Sequence, residues 1–88
     1  MKQKYVRRAF ENITKDIRYT MDGASDIDFI NVGDDIVICN SVEYKTGEGF
    51  SFVVPVFGAI DETLYNISFP NPGGDSKVTI VKTYHIEK

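Results

Sequence analysis

From Asp26 onward the chain is a succession of short runs rich in β-branched and aromatic residues, separated by connectors too short for anything but a reversal. The runs are Ile27–Val32, Ile36–Tyr44, Phe50–Phe57, Thr63–Phe69 and Lys77–Ile86, and residues of this kind favour strands. Between them stand GDD, KTGEG, GAIDE and PNPGGDS, whose Gly, Pro, Asp and Asn are turn formers. A parallel pairing needs a crossover of about a dozen residues or more, so connectors this short predict antiparallel neighbours. The expectation is a five-stranded antiparallel β-meander.

The first quarter of the chain follows a different period. Val6, Ala9, Phe10, Ile13, Ile17 and Met21 are spaced as one face of a helix and fall within an arc of about 120°. Asp22-Gly23 follows as a stop, with glycine suited to the left-handed position after the last turn. The spacing predicts a helix over about 5–22, lying across the sheet with Phe10, Ile13 and Ile17 as its anchors. The fold class expected is therefore α+β, one domain over 1–88, since 88 residues hold a single core. An apolar content of 42% is enough to build that core and argues against a disordered chain.

One helix cannot cover both faces of five strands. Phe29, Ile30, Val32, Ile36, Val37, Ile38, Phe50, Phe52, Val53, Val54, Val56 and Phe57 cannot all point one way, because neighbours along a strand alternate. The surplus predicts either a closed twofold homodimer or a sheet coiled over its own second face. Pro55 removes a ladder donor and places its run at an edge or a bulge.

Charge is divided unevenly along the chain. Residues 1–18 hold six bases against two acids, net +4, and residues 19–88 hold four bases and eleven acids, net −7. On the helical wheel Lys4, Arg7, Arg8, Lys15 and Arg18 share the side opposite the apolar stripe, so a helix would show solvent a basic back. The acids gather instead at Asp22, Asp26, Asp28, Asp34 and Asp35, with no base among them. A calcium loop needs oxygens at every second position, a central glycine and a closing glutamate, and this stretch has none of that pattern.

Other groupings are weak as chemistry. The stretch FINVGDDIVICN carries the Gly-Asp-Asp of a polymerase metal hairpin, without the companion carboxylates or the large domain such a site requires. A three-residue hairpin loop, Gly33 to Asp35, explains the same letters. Asn71 to Lys77, NPGGDSK, resembles a phosphate loop, but such a loop opens a helix and here a strand follows. Cys39 within IVICN reads as a small buried hydrophobe, and His85 has no evident orienting partner, so the two do not make a nucleophile and base. A lone cysteine supports no intrachain disulfide and fits a reducing cytoplasm. The two sequons, at Asn12 and Asn66, lack a secretory setting. The N-terminus lacks the apolar core of a signal peptide, and no run reaches the ~18 apolar residues of a membrane span.

The resulting expectation is a cytoplasmic, non-enzymatic protein-binding module, without cofactor or metal. Its work would be that of an inhibitor, an immunity-like factor or a phage accessory protein. The expected partner is another protein, met through the basic residues Lys4, Arg7, Arg8, Lys15 and Arg18 or the acidic Asp26, Asp28, Asp34 and Asp35. The alternative is a nucleic-acid-binding accessory protein that lays the basic back of the helix along phosphates.

Overall fold

A computed structural model describes residues 4–54, 60–71 and 75–87. They form eight strands: β1 (Lys4–Ile13), β2 (Ile17–Thr20), β3 (Asp26–Asn31), β4 (Val37–Cys39), β5 (Val42–Tyr44), β6 (Gly49–Val53), β7 (Leu64–Ser68) and β8 (Val78–Glu87). No helix occurs among the described residues, and so none long and apolar enough to cross a membrane. The α+β expectation is therefore corrected to all-β, and the helix over 5–22 is replaced by β1, a corner, and β2.

The helical spacing was a coincidence of period. Eight of the sixteen residues from Tyr5 to Thr20 are β-branched or aromatic, which favours extended backbone. The strand also satisfies its hydrogen bonds on β8 in one unbroken register, from Lys4↔Glu87 to Ile13↔Val78. Of the three expected anchors only Ile13 is buried; Phe10 is 70% exposed and Ile17 45%. Tyr19 and Met21 take the buried places instead.

All pairings are antiparallel, as the short connectors require, but the meander is wrong. The strands divide into two four-stranded sheets, ordered β1-β8-β3-β6 and β2-β7-β4-β5. First pairs with last, second with seventh, third with sixth and fourth with fifth. This is the double Greek-key order of an eight-stranded jelly roll. Among the described residues only β4 and β5 are joined as a hairpin. Their turn, Asn40-Ser41, has φ of 49° and 68°, the left-handed pair of a two-residue hairpin. Asn40 is held further by β7: its Oδ1 accepts from the Asn66 amide at 2.8 Å and its Nδ2 donates to the Leu64 carbonyl at 3.1 Å.

Gly33-Asp34-Asp35 is likewise no hairpin loop, since it carries the chain from β3 in one sheet to β4 in the other. The amides of Val32 and Gly33 both donate to the Lys77 carbonyl at 3.0 Å, and the Asp34 amide donates to Asp75 at 2.7 Å. Glycine is required here by closeness: a Cβ on Gly33 would lie 2.5 Å from the Lys77 nitrogen and overlap the Asp75 carbonyl.

The second sheet packs over the inner face of the first and covers part of the expected apolar surplus, Phe29 and Val37. Met21, Ala24, Ile27, Phe29, Val37, Cys39, Tyr65, Ile67, Phe69, Val78 and Ile80 are all buried between the sheets. Phe29 stacks on Phe50 at 4.7 Å between ring centroids, and Phe50 on Tyr65 at 5.7 Å, so aromatic rings bridge the two layers. At one end the buried Lys82 forms an ion pair with Glu11 at 3.5 Å, its Nζ 5.0 Å above the Tyr19 ring. Burial opposes its charge, but Tyr19, and to a lesser degree Tyr84 and Glu11, hold the Lys82 pKa above the ordinary lysine value. Asn31, wholly buried, is the polar counterpart at the other end.

The body is long, 51 × 19 × 18 Å. Part of the reason is that β3 accompanies β8 only from Val78 to Thr83, whereas β1 runs on to Glu87. Lys4–Arg7 with Tyr84–Glu87 is a two-stranded ribbon that continues past the four-stranded sheet.

Candidate docking surface

The register decides which side chains of the β1-β8-β3-β6 sheet turn away from the core. Ile27, Phe29 and Asn31 point inward from β3, so Asp26, Asp28 and Ile30 point outward. Along the same outer face the pairings align Arg8, Thr83, Asp26 and Val53 in one row and Phe10, Val81, Asp28 and Ser51 in the next. A third row runs Asn12, Thr79, Ile30 and Gly49, and Val6 lies opposite His85 on the ribbon.

This face carries more exposed large hydrophobes than the outer face of the other sheet. Phe10 is 70% exposed, Val53 67%, Val6 52% and Ile30 41%. Scattered single hydrophobes need no explanation, but several on one sheet face mark an interaction surface. Between β3 and β6 the face is hollowed into a shallow, open depression of about 460 Å³ beside Asp28, Ile30, Gly49 and Ser51. Glycine is required at Gly49 because the strands approach closely there: a Cβ would overlap the Phe29 carbonyl. Ser51 Oγ donates to Asp28 Oδ1, fixing that carboxylate at the rim. The outer face of the other sheet is plainer, with Arg18, Thr20, Glu43 and Asn66 among its exposed residues and Leu64 as its one exposed large hydrophobe among the described residues.

The residues expected from sequence to meet a partner fall in several places. Asp26 and Asp28 are on the apolar face. Asp34 and Asp35 belong to the crossing loop beyond the far end of β3, where Asn31 Nδ2 donates to the Asp35 carbonyl at 2.8 Å. Arg8 joins Asp26 and Asp28 on the outer face. Arg7 points to the opposite side of the ribbon, its Cζ 4.9 Å from the Tyr84 ring centroid. Lys15 stands exposed in the corner between β1 and β2, and Arg18 on the outer face of the second sheet. For Lys4 only the backbone pairing with Glu87 is described. The basic back of a helix has no counterpart, because strand alternation and the corner scatter these cations.

Other chemistry weighed in the sequence is not assembled. Cys39 is buried and burial pushes its thiol pKa up, away from the reactive thiolate. His85 is exposed on the ribbon of the other sheet. Among the described residues no three His, Cys, Asp or Glu side chains converge as metal ligands. Pro55, Val56, Phe57 and residues 72–74 of the NPGGDSK loop lie outside the described residues.

Sequence reasoning missed Phe10, which it assigned to the core. It listed Ile30 and Val53 only as surplus. The missing information was strand parity, which the register supplies. No family model, curated protein or solved structure matches the chain, so the functional reading stands on these residues alone.

Proposed function

We propose that the protein is a non-catalytic docking module that holds another protein on the outer face of the β1-β8-β3-β6 sheet. The observation that carries this reading is the set of exposed Phe10, Val53 and Ile30, spread over three neighbouring rows around Asp26 and Asp28. Exposed apolar side chains interleaved with charge suit a protein interface, and the two carboxylates select a partner that sets Lys or Arg among its own apolar side chains. The predominantly acidic chain favours the same partner. Such a module serves as an inhibitor, an immunity-like factor or a phage accessory protein, and its single buried thiol suits the cytoplasm. The nucleic-acid reading relied on cations gathered on a helix, and their dispersal removes that basis.

Reversing charge at the face tests the proposal. The partner is first isolated from source cells by cross-linking to the wild-type chain, then titrated with purified variants. Asp26→Lys combined with Asp28→Lys is expected to weaken binding by about 100-fold, the scale of several kcal/mol lost when interfacial charges are opposed. Asp34→Lys with Asp35→Lys, at the loop, is expected to change affinity less than about threefold, since the partner does not reach it. Equal binding by the first variant and loss by the second would transfer the site to the loop and overturn the proposal.

A further inference from the structure

β1 is an edge strand of ten residues, and no described residue pairs with its outer side. The other edges are short: β6 has five residues, β2 four and β5 three. Natural edges are blunted by brevity, proline, bulges or inward charges. β1 has no proline and no bulge. It does carry Arg7, Arg8 and Glu11, and the placement of these charges decides whether the edge repels a second strand or selects one.

A second copy of β1 joined antiparallel about a twofold axis perpendicular to the sheet brings residues of equal parity opposite each other, so the axis passes through one residue. An axis at Arg7 or Arg8 sets like guanidinium groups face to face. At Val6 it opposes Lys4 and Arg8, and at Phe10 it leaves Arg7 against Ile13. An axis at Ala9 differs from all of these. It places Arg7 opposite Glu11 of the second copy, twice by symmetry, with two small alanines between. On the other face it sets Arg8 against Phe10 of the second copy, also twice, a cation beside an aromatic ring.

We propose that two copies of the chain pair through β1 in this register, making one eight-stranded sheet from two four-stranded ones. The ribbon supports the same partner. Lys4–Arg7 and Tyr84–Glu87 run on as two strands only, a structure marginal by itself in water. In the Ala9 register residues 6 and 7 are braced by residues 11 and 12 of the second copy. Because the axis is perpendicular to the sheet, both outer faces end on one side, and Phe10 of each copy lies near the centre of a doubled docking face. The pairing is independent of the hetero-partner and is measured without it.

Phe10, being 70% exposed, can be changed without disturbing the core of the single chain. Sedimentation of a dilution series is expected to show a mass twice 9.9 kDa at high concentration, dissociating on dilution. Phe10→Glu, which meets Arg8 of the second copy, is expected to keep the dimer. Phe10→Arg, which meets the same Arg8, is expected to weaken it at least about tenfold, as like charges directly opposed are destabilising. Ala9→Cys tests the axis itself: facing residues of an antiparallel pair have Cα atoms about 4.5–5.5 Å apart, within reach of a disulfide, so added oxidant should join two copies. Arg7→Cys, displaced from its own copy, should remain unjoined. A mass of 9.9 kDa at every concentration would overturn the proposal, as would equal weakening by Phe10→Glu and Phe10→Arg, or cross-linking through position 7 rather than 9.

Discussion

Replacing Asn31 with alanine is expected to remove about 2–5 kcal/mol of folding stability, because two partly buried carbonyls lose their donor at about 1–3 kcal/mol each and the Gly33 amide keeps only its bond to the Lys77 carbonyl. Asn31 is 0% exposed. Its Nδ2 donates to the carbonyls of Asp35 at 2.8 Å and Tyr44 at 3.0 Å, and its Oδ1 accepts from the Gly33 amide at 3.0 Å. The backbone of the same residue receives Gly47 at 2.7 Å and donates to Glu48 at 2.9 Å. The side chain thus ties the β3–β4 crossing to the end of β5, while the backbone of the same residue holds the β5–β6 turn. A chain of 88 residues has a total stability of about 4–13 kcal/mol, so the variant should be largely unfolded or close to it at modest urea. Asn31→Asp should be no better, since it keeps an acceptor for Gly33 but turns a charge toward two carbonyls. Urea unfolding followed by far-UV circular dichroism measures both; a loss below about 1 kcal/mol would contradict this bonding, as that is the worth of one ordinary hydrogen bond.

Phe29→Ala is the second large effect. Phe29 is 2% exposed, stacked nearly parallel on Phe50 with a 6° interplanar angle, and tilted against Tyr44 at 5.3 Å. Truncation leaves a cavity between the sheets and removes ring contacts, for an expected cost of about 3–5 kcal/mol. Phe52 provides the control, because it lies in the same aromatic group but is 51% exposed. Phe52→Ala should cost about 1 kcal/mol, in keeping with its partial burial. The comparison uses chemical denaturation with near-ultraviolet dichroism as a second probe, since the tyrosines packed against Phe50 report its loosening. Equal costs for the two substitutions would mean that the aromatic group is not layered as described.

Much of the all-β body was legible from local composition. Ile27–Val32 was expected where β3 covers Asp26–Asn31, and Thr63–Phe69 where β7 covers Leu64–Ser68. The run Ile36–Tyr44 reads as one strand because the polar pair Asn40-Ser41 is short and strand formers flank it on both sides. That pair is in fact the left-handed turn between β4 and β5. The larger error lay in residues 5–22. A spacing of three and four residues is ambiguous in a segment where half the side chains are strand formers, and what resolves it is non-local. β1 is stabilised by partners 65 to 83 residues away, which no local window contains. Tertiary pairing overrode the local period.

The candidate face was legible only in part. Of the apolar residues expected to be in surplus, Phe29 and Val37 are buried between the sheets, while Ile30, Val32, Phe52 and Val53 remain exposed. Which residues remained outside depended on register. Phe29 and Ile30 are adjacent, of similar hydrophobicity, and opposite in fate: one is 2% exposed, the other 41%. Likewise Arg7 and Arg8 share a charge and differ by one step of the pleat, so they lie on opposite faces.

Both the docking face and the proposed β1 pairing depend on the N-terminal segment being a strand zipped to β8. Cross-strand nuclear Overhauser contacts test this most directly, because facing residues of an antiparallel pair bring their backbone protons close together. The account predicts contacts joining Arg7 to Tyr84, Ala9 to Lys82 and Glu11 to Ile80, with extended chemical shifts throughout Tyr5–Ile13. Sequential contacts between residues three apart over 5–22, with none reaching the 78–87 segment, would restore the helix and contradict it.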